Sequence, residues 1–242
     1  MASIQKPETP FKAIRVLVPG TGSRFRCGGL SVALQTSRLL GNLRPTCVVT
    51  YRQKTSENPY LFDLLKSELP SKEILWLVSW GFDVPFLLGV LKGRRVVYQA
   101  YSSGYGFHLP PGVPIVAVSR NTLGYWGSRA PRNPLFLVSN ALDSKWFKQG
   151  NRISRIPDEL NRRQVDVLVQ RRKSSPYVLD ILVPALRKRG LVVEVQDGWV
   201  DDLVALFNGA SVYIYDSADY WRSAGVTEGF GLPPLEALAC GC

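Results

Sequence analysis

The residues best suited to do chemistry lie in the ten-residue run EGFGLPPLEA, Glu228 to Ala237. An apolar, β-branched run, SVYIYD, leads through a glycine-rich turn into a helix opened by Pro233 and Pro234. Proline suits a first helical turn because the amide it lacks would have no helical partner there. In the turn that Gly229 opens, the amides of Phe230, Gly231 and Leu232 are then expected to point outward, beside the positive end of the helix dipole, where phosphate binds. Two carboxylates bracket the turn, Glu228 at its entrance and Glu236 one helical turn inside, and carboxylates accept paired hydrogen bonds from sugar hydroxyls. These types and spacings describe a phosphate cradle flanked by hydroxyl readers. Taken singly, Glu236 would only favour the helix dipole and Glu228 would be a solvated loop acid. The whole constellation is what points to a ligand.

Cations occur where an anionic ligand would need them. The apolar run VDVLVQ passes directly into Arg171, Arg172 and Lys173. Alone, such a trio is a solvated basic turn; beside the downstream motif it reads as a phosphate-facing group, without distinguishing which two side chains turn inward. Ten Lys and Arg stand against four Asp and Glu between Asn151 and Gly190, so +6 of the net +11 is local to that stretch. Arg187 to Arg189 close a helix, where cations favour the dipole, and are read as structural. A second glycine-rich loop, GTGSRFRCGG, follows the run AIRVLVP. Gly28 and Gly29 there form either a tight strand-to-helix turn or a close backbone approach to a phosphate.

The elements that must position these groups follow one rhythm. AIRVLVP, CVVTY, EILWLVS, RRVVYQAY, PIVAVSR and PLFLVSN alternate with segments of helical period, as in a parallel sheet with crossover helices. GGLSVALQTSRLLGN is the clearest helix, entered through a glycine pair and left at Gly41 and Asn42. From Lys145 to Asn161 the chain turns polar and basic, with Gly150 and Pro157, which places a boundary there. The rhythm resumes with VDVLVQ, the helical YVLDILVPALRKRG, LVVEVQ, the helical VDDLVALFNGA and SVYIYD. The expectation is an α/β chain of two Rossmann-like domains over residues 1–147 and 163–242, with a linker at 148–162. A doubly wound sheet normally has a further strand after such a last helix, so the second is expected to be incomplete.

The motif and its setting resemble the retaining glycosyltransferases of family 4, whose signature is E-G-F-G-L-P-x-x-E-A ahead of a small-residue helix. The likeness covers VDDLVALFNGASVYIYDSADYWRSAGVTEGFGLPPLEALACG well and the first half more loosely. It implies the two-domain GT-B fold, with an acceptor-binding half followed by a donor-binding half. Glu228 would contact the donor sugar, Glu236 the nucleotide ribose, and the turn amides the diphosphate. Arg171, Arg172 and Lys173 would supply the cations that neutralise the leaving diphosphate, with Gly28 and Gly29 approaching it from the first domain. The loop DSADYWRSAGVTE would help choose the sugar. Many members carry a histidine after the fourth strand of the first domain; Gln99, Ala100 or Tyr101 stands there, and the role does not transfer to His108. Ser119, Asn140 and Asp143 match elements that line the family's cleft, and as plain residues are turn formers. No metal or other cofactor is expected, since Arg, Lys and helix-end amides take over the work of a bound cation.

Composition agrees with that class. Hydrophobic residues are 45% and charged residues 20% of the 242, which suits a globular chain rather than a disordered one. No apolar run reaches the roughly 18 residues that would cross a bilayer, and MASIQKPETP lacks a secretory core, so the expected location is cytoplasmic, with room for peripheral contact at the inner face of the membrane. The basic balance suits anionic partners, here a nucleotide-sugar and a glycan or lipid-linked acceptor. No recognised nucleic-acid motif accompanies it. Cys27, Cys47, Cys240 and Cys242 form neither a CxxC pair nor a disulfide framework. The rival from another class is a GT-B fragment without catalysis, serving as a nucleotide-sugar-binding or scaffold protein.

Overall fold

A computed structural model describes residues 11–150 and 163–242, which divide into two compact units, 1–140 and 141–242. In the first, the six expected runs become strands β1 (Ala13–Val18), β2 (Thr46–Thr50), β3 (Ile74–Val78), β4 (Arg95–Ala100), β5 (Ile115–Ala117) and β6 (Leu135–Leu137). All pair in parallel, in the order β2-β1-β3-β4-β5-β6. Parallel neighbours need crossovers, supplied by α1 (Gly28–Gly41), α2 (Leu61–Ser67), α3 (Val84–Val90) and α4 (Arg120–Arg129). The result is a Rossmann-like sheet whose strand order reverses between β1 and β3.

Strand alternation sorts the core into two layers. Ile14, Val16 and Val18 pack with Leu30 and Ala33 of α1, while Leu17 joins the other face with Trp76, Tyr98, Trp126, Leu61 and Leu87. A period of two with apolar residues on both faces is what a sheet covered on both sides requires. Gly81, just after β3, admits the Tyr105 ring so closely that an added Cβ would lie 2.1 Å from it.

Arg15 shares β1 with these apolar side chains and is reconciled by a forked pair. Its two terminal nitrogens donate to Glu68 Oε2 and Oε1 at 2.6 and 2.8 Å, and its guanidinium stacks 4.9 Å from the Trp76 ring. The Glu68 carboxyl is held below its ordinary value, first by accepting from Arg15. A depressed carboxyl stabilises the fold above its unfolded value and loses that contribution as pH falls through the folded one. Glu68→Gln is therefore expected to cost about 1 kcal/mol at neutral pH, Glu68 being partly solvated, and nothing in strong acid. Parallel urea titrations at the two pH values check this, and a pH-independent difference would refute the pairing.

The second unit has a three-stranded parallel sheet, β7 (Val165–Gln170), β8 (Val193–Gln196) and β9 (Ala210–Ile214), in the order β8-β7-β9. Around it lie α5 (Ser144–Gln149), α6 (Val183–Lys188), α7 (Leu203–Asn208), α8 (Ala218–Ser223) and α9 (Leu232–Ala239). The expected continuous helix from Tyr177 opens as a π turn, Tyr177–Leu182, before α6. Pro184 is the physical reason: it removes the amide that would bond the Asp180 carbonyl, and its ring crowds that oxygen.

The boundary falls earlier than the expected 147, because α5 belongs to the second unit. Trp146 is 3% exposed, within a core of Leu168, Val204, Phe207, Ala237 and Ala239. Gly150, read from sequence as a boundary marker, ends α5 where a Cβ would lie 2.3 Å from the Ala239 carbonyl oxygen. Residues 151–162, most of the expected linker, lie outside the described residues. No helix among the described residues is long and apolar enough to cross a membrane.

Candidate functional site

In the second sheet the order reverses between β7 and β9, and the crevice beyond the carboxyl ends of such strands is where open α/β sheets bind ligands. β7 ends into a 3₁₀ turn made of Arg171, Arg172 and Lys173; β9 ends into Tyr215, Asp216 and Ser217. Ser175 Oγ donates to Asp216 Oδ2 at 2.5 Å, joining the segments that follow the two strands. The sequence-predicted cations and the motif thus meet at one end of one sheet.

The turn before α9 forms as expected. Gly231 caps the helix in the left-handed region, φ 79° and ψ 57°, where a side chain would be strained, and Pro233 and Pro234 lie in the first turn. The amides of Phe230, Gly231 and Leu232 have no acceptor among the described residues. Glu228, at the entrance, is tightly held. Its Oε2 accepts from the Tyr215 hydroxyl, from Trp221 Nε1 and, at 3.4 Å, from Ser217 Oγ. Burial first, and then the bond to Glu228, hold the Tyr215 phenol above its ordinary value, so it remains a donor. Oε1 of Glu228 accepts nothing among the described residues.

Two of the three cations turn toward the aromatic rings of α8. Arg172 Nη2 donates to the Tyr220 hydroxyl at 2.8 Å, and Lys173 Nζ lies 4.4 Å from the Tyr220 ring and 3.8 Å from the Trp221 ring. Arg171 turns elsewhere, pairing with Asp197 at 3.1 Å. Tyr215, Ser217, Tyr220 and Trp221 were not singled out individually from sequence. The available signal was the density of aromatic hydrogen-bond donors in DSADYWRS, immediately ahead of the motif.

Glu236 is half-buried on α9, and burial pushes its carboxyl up to about 7, with Lys145 of α5 opposing. Burial first, then Tyr215, Glu236 and Glu228, raise the Tyr213 phenol. The Glu236 carboxyl is raised from 4.5, so the folded chain retains a proton between about 4.5 and 7 that the unfolded chain releases. Stability accordingly falls as pH rises through that window. Glu236→Gln is expected to be more stable than the parent at pH 8, by on the order of 1–3 kcal/mol, and equal to it near pH 4. Melting curves at the two pH values test this; a gain that persists in acid would assign the effect to packing.

The remaining sequence candidates resolve simply. Gly28 and Gly29 open α1 in the first unit, and a Cβ on Gly29 would make ordinary 3.8 Å contacts with Cys27 and Tyr101. Gly20 in that loop is tight, since a Cβ there would meet the Phe25 ring at 2.3 Å. Ser119 and Asp143 are helix caps, accepting from the amides of Thr122 and Lys145. His108 is exposed; Gln99 is buried and accepts from the Tyr101 hydroxyl at 3.0 Å. Arg187, in the last turn of α6, donates to the Val193 carbonyl at 2.9 Å, a structural role. The four cysteines are free.

The fold and these groups define a Rossmann-like α/β chain with a cluster of cations and carboxylates at the switch point of its second sheet. No protein-family model matches the chain, and no curated protein matches it.

Proposed function

We propose that the chain is a retaining glycosyltransferase of the two-domain GT-B kind, moving a sugar from a nucleotide-diphosphate donor to a glycan or lipid-linked acceptor. The observation that supports this reading best is the gathering of Arg172, Lys173, Glu228 and the open amides before α9 at one switch point. In this reading the bond from the sugar's anomeric carbon to the diphosphate breaks, a bond from that carbon to the acceptor oxygen forms, and the acceptor hydroxyl's proton passes to the departing diphosphate. Charge accumulates on the departing diphosphate, and Arg172, Lys173 and the turn amides stabilise it, which is the main catalytic effect. Glu228 orients the sugar through Oε1 rather than attacking it. Glu236 accepts from the ribose hydroxyls, and does so best when ionised. The first unit takes the acceptor, and no metal ion is needed for charge neutralisation.

Calorimetric titration with UDP, GDP and their common sugar conjugates, with EDTA present, tests the donor site. Metal-independent binding to one nucleotide series is expected, weakening as pH falls below 7 and lost in Glu236→Ala. Absence of binding to every nucleotide would remove the donor reading and leave a scaffold.

A further inference from the structure

We propose that Trp221 is a positioning residue of this site, a single ring that fixes the Glu228 carboxylate and the Lys173 ammonium at once; the proposal rests on the donor reading above. Its indole N–H donates to Glu228 Oε2, while Lys173 Nζ lies 3.8 Å from its ring centroid. Tyr215 and Ser217 donate to that same oxygen. Three donors occupy Oε2 and leave Oε1 as the acceptor for a ligand hydroxyl. Tyr220 extends the support, its ring 4.9 Å from Trp221 and its hydroxyl accepting from Arg172.

Core packing does not account for these rings. Neither Tyr220 nor Trp221 belongs to the two cores of the second unit, and α8 buries none of its residues. What the Trp221 ring does is present one polar edge and one electron-rich face to groups of opposite charge. A cation is attracted to that face, and the N–H at the edge is the only donor indole has. The ring holds the ammonium at its face and the carboxylate at its edge. Without it, neither the ammonium nor the carboxylate would keep that station. Trp221 acts through Glu228 and Lys173 and need not touch the donor.

The separation of roles gives the test. Wild type, Trp221→Phe and Trp221→Tyr are titrated with UDP, GDP, UDP-glucose and GDP-mannose, after melting curves establish folding. Phe and Tyr keep a ring for Lys173 and lose the indole N–H, so affinity for the bare nucleoside diphosphate is expected to stay within about threefold. The extra affinity that the attached sugar contributes should fall by about tenfold, the value of one charge-assisted hydrogen bond. Trp221→Leu, which removes the ring as well, should also weaken the bare diphosphate. Equal losses for diphosphate and conjugate in Phe and Tyr, or no loss for either, would overturn the positioning role while leaving the donor site intact. Failure of wild type to bind any of the four would instead overturn the donor reading, and the positioning role with it.

Discussion

Lys173→Ala is expected to lower turnover of a nucleotide-sugar donor by about 10²–10³-fold, because it removes a cation from the place where leaving-group charge develops. Lys173 follows β7 at the switch point and its ammonium is already seated, 3.8 Å from the Trp221 ring and 4.4 Å from the Tyr220 ring, so little rearrangement precedes its action. Arg172→Ala should act in the same direction. Arg171→Ala should have much less effect, since Arg171 pairs with Asp197 instead. The loss in Lys173→Ala should appear in kcat more than in KM, as expected for an interaction that strengthens in the transition state. Stability should change by about 1 kcal/mol or less, the range of an exposed cation–π contact. Initial rates of donor hydrolysis or transfer, measured beside melting curves, decide the matter. Undiminished kcat in Lys173→Ala would remove it from the site.

The largest effect on folding is expected at Arg163. Its guanidinium donates to the carbonyls of Phe207, Ala210 and Cys240, the last at 2.8 Å. These oxygens belong to the last turn of α7, the first residue of β9 and the C-cap of α9, all residues at most 1% exposed. Arg163→Ala leaves buried acceptors without their charged donor and is expected to destabilise the chain by about 3 kcal/mol. Arg163→Lys should recover only part, because an ammonium cannot reproduce a planar fork of donors. Urea unfolding reads both. A cost under about 0.5 kcal/mol for Arg163→Ala would mean that water satisfies those carbonyls just as well.

The strands were readable because their information is local. A run such as AIRVLVP is apolar on both faces, and all six such runs of the first half became parallel strands. The turn before α9 was readable for the same reason, since Gly231 and the two prolines impose their geometry on immediate neighbours. What stayed hidden depends on distant partners. Whether Trp146 closes the first unit or fills the core of the second is decided by Phe207 and Ala237, far along the chain. The direction of Arg171 is decided by Asp197, and the anchoring of Glu228 by Tyr215, Ser217 and Trp221 together. Composition near the motif shows many donors; only the fold shows three of them on one oxygen.

The π turn at Tyr177–Leu182 bears on how the chain tolerates changes of length. A π turn accommodates one residue more than an α-helical turn of the same span, so it is locally an insertion already absorbed. Removing a single residue within it, together with Pro184→Ala to relieve the crowded carbonyl, would let the backbone close to ordinary helical pitch, with Ser175 still facing Asp216 on one side and α6 still packed on the other. The same deletion one turn later, inside α6, would rotate Val183 and Leu186 off the sheet. The chain therefore has a place just behind its candidate site where, once Pro184 is replaced, its length can vary by one residue without moving the cations that β7 delivers.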